Sequence, residues 1–271
     1  MKFNNSQYFI FKKELISNSG KKAKIYELRN DIEEEAILDD WARSLRDYYI
    51  EEHMIDILLS GTGLTKKEYL AQNIFPSTHG IGAATMSGEF GEILVYDLIQ
   101  YKMDYYISKT RYLEKVNPDL PVSGSDVIGY KVEDIKSPQN DDKLFVGEVK
   151  VRASEKSRLT LDKNPISDAI KDSGKDRIRI AESLNAEKRR AVYRNKIEEI
   201  KVIERFQNKT DTPYQLNFSA IAIFTKALYS EEFILQILNN IADDEETNIL
   251  IIYSDKLLEF LRDLYRRACI C

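Results

Sequence analysis

The sequence has few of the residues that build thiolate or imidazole sites. Of its 271 residues, two are Cys and two are His. The cysteines, Cys269 and Cys271, form a Cys-x-Cys pair that supplies neither a disulfide framework nor enough ligands for structural zinc. His53 and His79 are too few for a metal site that needs a histidine cluster. We therefore expect both thiols to be free, as in a reducing compartment.

Long apolar runs are also missing. No stretch approaches the ~20 apolar residues that a membrane span requires. The first fifteen residues include Lys2, Lys12, Lys13 and Glu14 and contain no apolar signal-peptide stretch. Glycine and proline are scarce, and aromatic residues make up 10% of the chain, which argues against disorder. These features predict a globular, cytoplasmic protein without a membrane partner.

Hydrophobic periodicity predicts two segments that meet near residue 84. Residues 1–84 are expected to form an α+β segment with a partner or regulatory role, comprising a β-hairpin around Asn18-Ser19-Gly20 and then a helical stretch. Residues 85–271 are expected to form an α/β domain, because near-continuous apolar strands alternate with helices. Its predicted elements are a helix over 86–101, strands over 126–132 and 144–151, helices over 168–184 and 187–206, strands over 218–224 and 249–253, and helices over 231–241 and 255–267.

One group of residues points to chemistry. Successive side chains of a strand alternate between its two faces, so Glu148 and Lys150 should share a face while Val149 points into the core. A hairpin between the two predicted strands would bring the carboxylate of Asp126 beside Glu148. Two adjacent carboxylates are stable together when they share a proton or a cation, and Mg²⁺ is a natural occupant. Glu92, on the preceding helix, could join them directly or through a water.

The charge distribution adds a possible nucleic-acid surface. The chain carries a net charge of -5, yet residues 150–209 contain 17 Lys and Arg and 10 Asp and Glu, a local net of +7. A basic block of this kind can bind phosphates, although a solvated helix face is the plainer explanation. A helical cluster can also meet an acidic partner protein instead. The predicted nucleic-acid contacts are Arg152, Lys156, Arg158, Lys188, Arg189 and Arg190.

The order of these elements resembles the PD-(D/E)xK nuclease superfamily over about residues 86 to 254. The resemblance implies a restriction-endonuclease-like mixed sheet flanked by helices, here with an N-terminal α+β extension. It also implies that Glu92, Asp126, Glu148 and Lys150 are catalytic, the three acids being metal ligands for Mg²⁺, with Mn²⁺ as an alternative ion. Ser125 replaces the proline of the signature, and Glu89 is an alternative to Glu92.

More narrowly, Phe90-Gly91-Glu92-Ile93-Leu94-Val95-Tyr96, followed by the Asp126 and Glu148-Lys150 elements, resembles the HamA family of Hachiman antiphage defence effectors. This implies a DNA-cleaving subunit controlled by an ATP-dependent helicase partner, HamB. The chain itself contains no Gly-x-x-x-x-Gly-Lys-Ser/Thr nucleotide-binding loop. Two alternatives remain open: a non-catalytic nucleic-acid-binding or assembly module, and a stand-alone restriction or junction-resolving enzyme.

Overall fold

The computed structural model describes residues 3–156, 158–241 and 247–271. These residues form a six-stranded sheet flanked by helices. The strands are β1 (Phe9–Ile16), β2 (Lys22–Leu28), β3 (Val127–Lys131), β4 (Lys143–Arg152), β5 (Gln215–Thr225) and β6 (Asn248–Ser254). The α-helices are α1 (Glu35–Arg46), α2 (Glu52–Leu59), α3 (Lys66–Tyr69), α4 (Gly80–Lys102), α5 (Pro165–Tyr193), α6 (Ile197–Gln207), α7 (Glu231–Asn239) and α8 (Leu257–Ala268).

The sheet is mixed, with strand order β1-β2-β6-β5-β4-β3. The four central strands run parallel, and each edge strand is antiparallel to its neighbour. Parallel strands must be buried on both faces, which explains why β5 and β6 are almost continuously apolar. The predicted α/β fold with a restriction-endonuclease-like mixed sheet is therefore confirmed.

The two faces of the sheet are covered by different helices. On one face, Val149, Ile221 and Ile223 pack in a core shared with α1, α4 and α8. On the other, Ala220 and Ala222 alternate with them and pack in a core shared with α5 and α7. We call these the α4 face and the α5 face. Because alternate residues of β4 also point to opposite faces, Glu148 and Lys150 belong to the α5 face.

Two glycines of α4 lie in different surroundings. A Cβ on Gly91 would lie 2.4 Å from Cγ2 of Val151 and 3.4 Å from Cγ1 of Val149, so the helix approaches β4 closely only because this residue lacks a side chain. A Cβ on Gly88 would meet nothing within 4 Å. Close packing of α4 on the sheet thus depends on Gly91, one residue before Glu92.

Two predicted boundaries differ from the structure. The helices predicted over 168–184 and 187–206 divide elsewhere, because α5 continues through Asn185 and ends where Asn195 adopts a left-handed conformation with φ 57°. The boundary near residue 84 lies inside α4, and β2 pairs with β6, so residues on both sides of that boundary build one sheet. Among the described residues, no helix is both long and apolar enough to cross a membrane.

Candidate active site

The exit of β4 presents an acid and a cation on one face. Nζ of Lys150 donates a hydrogen bond to Oε1 of Glu148 at 2.6 Å, while Val149 is buried against the α4 face. This is the arrangement expected from strand alternation. Both charged side chains lie beneath α5, where the exposed fraction is 12% for the Glu148 side chain and 26% for that of Lys150. The pair is therefore partly shielded from water.

Asp126 immediately precedes β3 and lies beside the same part of β4. Val127 pairs with Gly147 in an antiparallel register, which places Asp126 next to Glu148 along the strand pair. The backbone N–H of Val149 donates to Oδ2 of Asp126 at 2.9 Å. The hairpin thus brings the carboxylates of the two strands to one end of the sheet.

Both carboxyl groups have raised pKa values. Burial and, after it, the charge of Asp126 together raise the pKa of Glu148 to about 7. Burial and the charge of Glu92 likewise raise the pKa of Asp126 to about 7. Such pKa values mean that the charged carboxylates have lost more stabilisation by water than their protein neighbours restore. A cation bound between them would stabilise the charged forms.

Glu92, rather than Glu89, is the helical acid that faces Asp126. Oε2 of Glu92 accepts hydrogen bonds from Nε of Arg111 at 3.0 Å and from the hydroxyl of Tyr112 at 2.5 Å. Arg111 also forms an ion pair with Asp126, its Nη2 lying 3.6 Å from Oδ1. Arg111 therefore joins the acid of α4 to the acid that precedes β3.

Glu89 points into a different environment. Its carboxylate is almost fully buried, accepts a hydrogen bond from Lys115, and accepts another from the hydroxyl of Tyr49 at 2.9 Å. The other hydrogen bonds of these partners lead away from Asp126 and Glu148, from Lys115 to the carbonyl of Pro118 and between the hydroxyls of Tyr49 and Tyr265. Burial raises the pKa of Glu89 while the charge of Lys115 opposes that shift. Glu89 thus belongs to an internal network that ties α4 to the segment before β3.

Sequence reasoning missed the contribution of α5. Three of its aspartates are spaced four residues apart and so share one side of the helix. Asp168 lies 3.1 Å from Nη2 of Arg152, and Asp172 lies 2.8 Å from Nζ of Lys150. Asp176 accepts a hydrogen bond from the Ser125 hydroxyl at 3.0 Å. The i, i+4 spacing was visible in the sequence, whereas the loop position of Arg111 gave no periodic signal.

The residues present suit a hard divalent cation, but they do not form a closed cage. Among the described ranges, no group of three His, Cys, Asp or Glu side chains lies close enough together to hold a metal ion. Mg²⁺ commonly takes only one or two carboxylates and completes its shell with water and phosphate oxygens. Asp126 and Glu148 meet that need, and the buried Oδ2 of Asp176 is without a hydrogen-bond partner in the described structure. The donor set therefore fits.

The predicted nucleic-acid contacts are divided between the two ends of α5. Arg152 lies near its start, while Lys156 and Arg158 are exposed in the loop that leads to it. Lys188 and Arg190 lie some twenty residues further along, which is about 30 Å of helix. These six residues consequently form two basic surfaces.

The second of these basic surfaces is itself heterogeneous. Lys188 pairs with Glu204 at 2.9 Å, and Arg189 is exposed. Arg190 turns inward, where its buried Nε has no hydrogen-bond partner in the described structure and its charge opposes the rise that burial causes in the pKa of Glu187. Arg189 is thus the member of this group most accessible to a bound phosphate.

Comparison with known protein families identifies the family of this chain. The model of the family described as HamA matches residues 6–268, nearly the whole chain. The matched region begins before β1 and ends with α8, so it includes both the N-terminal hairpin and every residue of the candidate site. No curated protein and no solved structure matches the chain. The family match and the geometry of the site are therefore two separate lines of support for a function.

Proposed function

This chain belongs to the HamA family, and on that basis we propose that it is a metal-dependent DNA nuclease that acts as the effector of a Hachiman antiphage defence system. Membership of the family supports the role in Hachiman defence. The observation that supports the chemistry is the meeting of Asp126 and Glu148 at one end of the sheet, with Lys150 on the same face as Glu148.

In this proposal Asp126 and Glu148 hold a Mg²⁺ ion, which Mn²⁺ could replace. A bound ion of this kind polarises a phosphodiester and activates water for in-line attack. In this proposal Glu92 does not bind the ion directly, because its Oε2 already accepts hydrogen bonds from Arg111 and Tyr112. It holds Arg111 in place, and Arg111 in turn orients the carboxylate of Asp126.

Lys150 is the proposed catalytic cation. Its ammonium group forms ion pairs with Glu148 and Asp172. A phosphate bound here would replace Asp172 as the ion-pair partner of Lys150. The ammonium group would then stabilise the negative charge that develops on the phosphate oxygens. The neighbouring Arg152, paired with Asp168, would bind an adjacent phosphate in the same way.

Control by a partner is a further part of the proposal. We infer that a helicase subunit, HamB, governs access of DNA to the site, since the sequence has no nucleotide-binding loop of its own. The side chains proposed to bind phosphate are occupied by carboxylates of α5 in the isolated chain. When a partner delivers DNA to this face, phosphates would replace Asp172 and Asp168 as the ion-pair partners of Lys150 and Arg152.

The assay that tests the proposal is cleavage of plasmid and linear DNA with Mg²⁺, with the purified chain alone and with its helicase partner. Glu148→Gln removes a metal-binding carboxylate, and Lys150→Met removes the cation while keeping the length of the side chain. Each should slow cleavage by on the order of 10²-fold or more, as the loss of one electrostatic group at a reacting phosphate typically does.

Matched controls come from the same hairpin. Glu133→Gln removes an exposed carboxylate from the turn after β3, and Lys143→Met removes a lysine from the far end of β4; both should cut at the parent rate. Parent-like cleavage by Glu148→Gln would refute the site. Salt-dependent DNA binding without Mg²⁺-stimulated cleavage by the parent, with and without the helicase, would identify a non-catalytic binding module instead.

A further inference from the structure

Of the three α5 aspartates Asp168, Asp172 and Asp176, only Asp176 has no cationic partner at hydrogen-bonding distance within the described part of the chain. Asp168 and Asp172 pair with Arg152 and Lys150, whereas Asp176 accepts only from the Ser125 hydroxyl through Oδ1. Its side chain is almost fully buried, the residue being 3% exposed, and Oδ2 has no hydrogen-bond partner in the described structure. A buried carboxylate oxygen left without a partner is costly, so it calls for an explanation.

The position of Asp176 supplies that explanation. Ser125, its hydrogen-bond donor, directly precedes Asp126, and burial together with the charge of Glu148 raises the pKa of Asp176. Asp176 therefore lies near Glu148 and is hydrogen-bonded to the residue that precedes Asp126. Without a cation, the carboxylate of Asp176 adds to the electrostatic repulsion at this end of the sheet. With a cation bound, it adds a further negative charge that attracts the ion.

Ser125 has a specific role in this arrangement. It is 1% exposed, its backbone N–H donates to Oγ of Ser183, and its hydroxyl is shared between Asp176 and Ser183. A proline at this position, as in the superfamily signature, would have neither the N–H nor the hydroxyl. Serine at this position thus provides the donor that holds Asp176 against the residue preceding Asp126.

We propose that Asp176 is a third carboxylate of the cation site, supplied by α5, and that it supports the outer coordination shell of the divalent ion held by Asp126 and Glu148. The proposal rests on the proposed function, because it assumes that those two residues bind a cation. Outer-shell placement agrees with the finding that three acidic side chains do not converge on one point in the described chain. Ser125 is then a positioning residue for Asp176.

The test is Mn²⁺ binding by the full chain without DNA, measured by calorimetry and by electron paramagnetic resonance of the free ion. Asp176→Asn should raise the dissociation constant by about 10- to 100-fold, the usual effect of losing an outer-shell partner. Ser125→Ala should raise it in the same direction and by less, because Asp176 remains. Glu182→Gln, which removes an exposed carboxylate from the same helix, should bind Mn²⁺ like the parent.

A second readout separates this role from a structural one. In EDTA, Asp176→Asn should unfold at or above the parent temperature, since it removes a buried charge, and Mn²⁺ should then raise its unfolding temperature less than that of the parent. Lower stability in EDTA with an unchanged Mn²⁺ dissociation constant would show that Asp176 is structural and overturn the proposal. If Asp126→Asn and Glu148→Gln also bind Mn²⁺ like the parent, the proposed function fails too.

Discussion

At the scale of single residues, the site is defined by carboxylates in an environment that does not favour their charge. Asp126 and Glu148 are partly buried, they repel each other, and each has a pKa raised to about 7. The cations nearby are Arg111 and Lys150, and each of these is shared with another acid. The excess of negative charge is what a divalent cation would balance.

These raised pKa values predict an unusual dependence of stability on pH. A raised pKa means that the folded chain holds the proton more tightly than the unfolded chain, so the folded state loses stability as the pH rises from about 4.5 to about 7. Glu148→Gln does not titrate. In the absence of metal, the free energy of unfolding of the parent should therefore decrease relative to that of Glu148→Gln as the pH rises from about 4.5 to about 7.

Urea unfolding at a series of pH values, in EDTA, measures this difference. The exposed Glu155 provides the control, because Glu155→Gln should follow the parent at every pH. The charge of Asp126 acts on Glu148, so the curve includes the titration of both acids. A parent curve that stays parallel to that of Glu148→Gln across the range would contradict the raised pKa of Glu148.

Residue types in the sequence were sufficient to predict part of this site. Alternation along a strand put Glu148 and Lys150 on one face, and the structure places them there. The hydrogen bonds of Glu92 to Arg111 and Tyr112 could not be predicted, because these partners lie in an irregular segment whose path is set by tertiary packing. Whether the predicted residues catalyse a reaction stays a prediction.

At the scale of elements, the close approach of α4 to β4 positions Glu92. Gly91 permits that approach, since a Cβ there would overlap Val151. We predict that Gly91→Ala destabilises the fold by about 1–3 kcal/mol, the usual cost of overpacking a core. Gly88→Ala, on the same helix in open space, should be neutral or stabilise it by up to about 1 kcal/mol.

Urea unfolding of both variants gives the comparison. Because both replace glycine by alanine within one helix, they share the gain in helix propensity and differ only in what the added methyl group meets. Equal stabilities for the two variants would show that α4 can shift away from β4 without cost. In that case Gly91 would not be what determines the position of Glu92.

The helices and strands were largely predictable, and their exact bounds were not. Period-2 and near-continuous apolar patterns located β3 to β6, whereas the division of the basic region into two helices was misplaced. Asn185 lowers helix propensity locally, yet packing of Leu184 and Ala191 in the core beneath α5 keeps that helix continuous. Tertiary contacts thus decide an ambiguity that local sequence leaves open.

At the scale of the whole molecule, the N-terminal hairpin extends the sheet that carries the site. β2 pairs in parallel with β6, and α1 packs against α8 through ion pairs of Arg267 with Glu35 and Asp39. Neither pairing could be read from the sequence, because it joins segments more than 200 residues apart. β1 and β2 lie at the opposite end of the strand order from β3, so partner binding at this hairpin would leave the site itself uncovered.

The central claim is that Asp126 and Glu148 together hold one divalent cation. Anomalous scattering from crystals of the chain grown or soaked with Mn²⁺ tests it most directly, with Glu148→Gln crystals treated identically as the comparison. We predict an anomalous peak between the two carboxylates in the parent and a weaker or absent peak in the variant. Ordered crystals with no peak at this end of the sheet, or a peak elsewhere that the variant retains, would contradict the account.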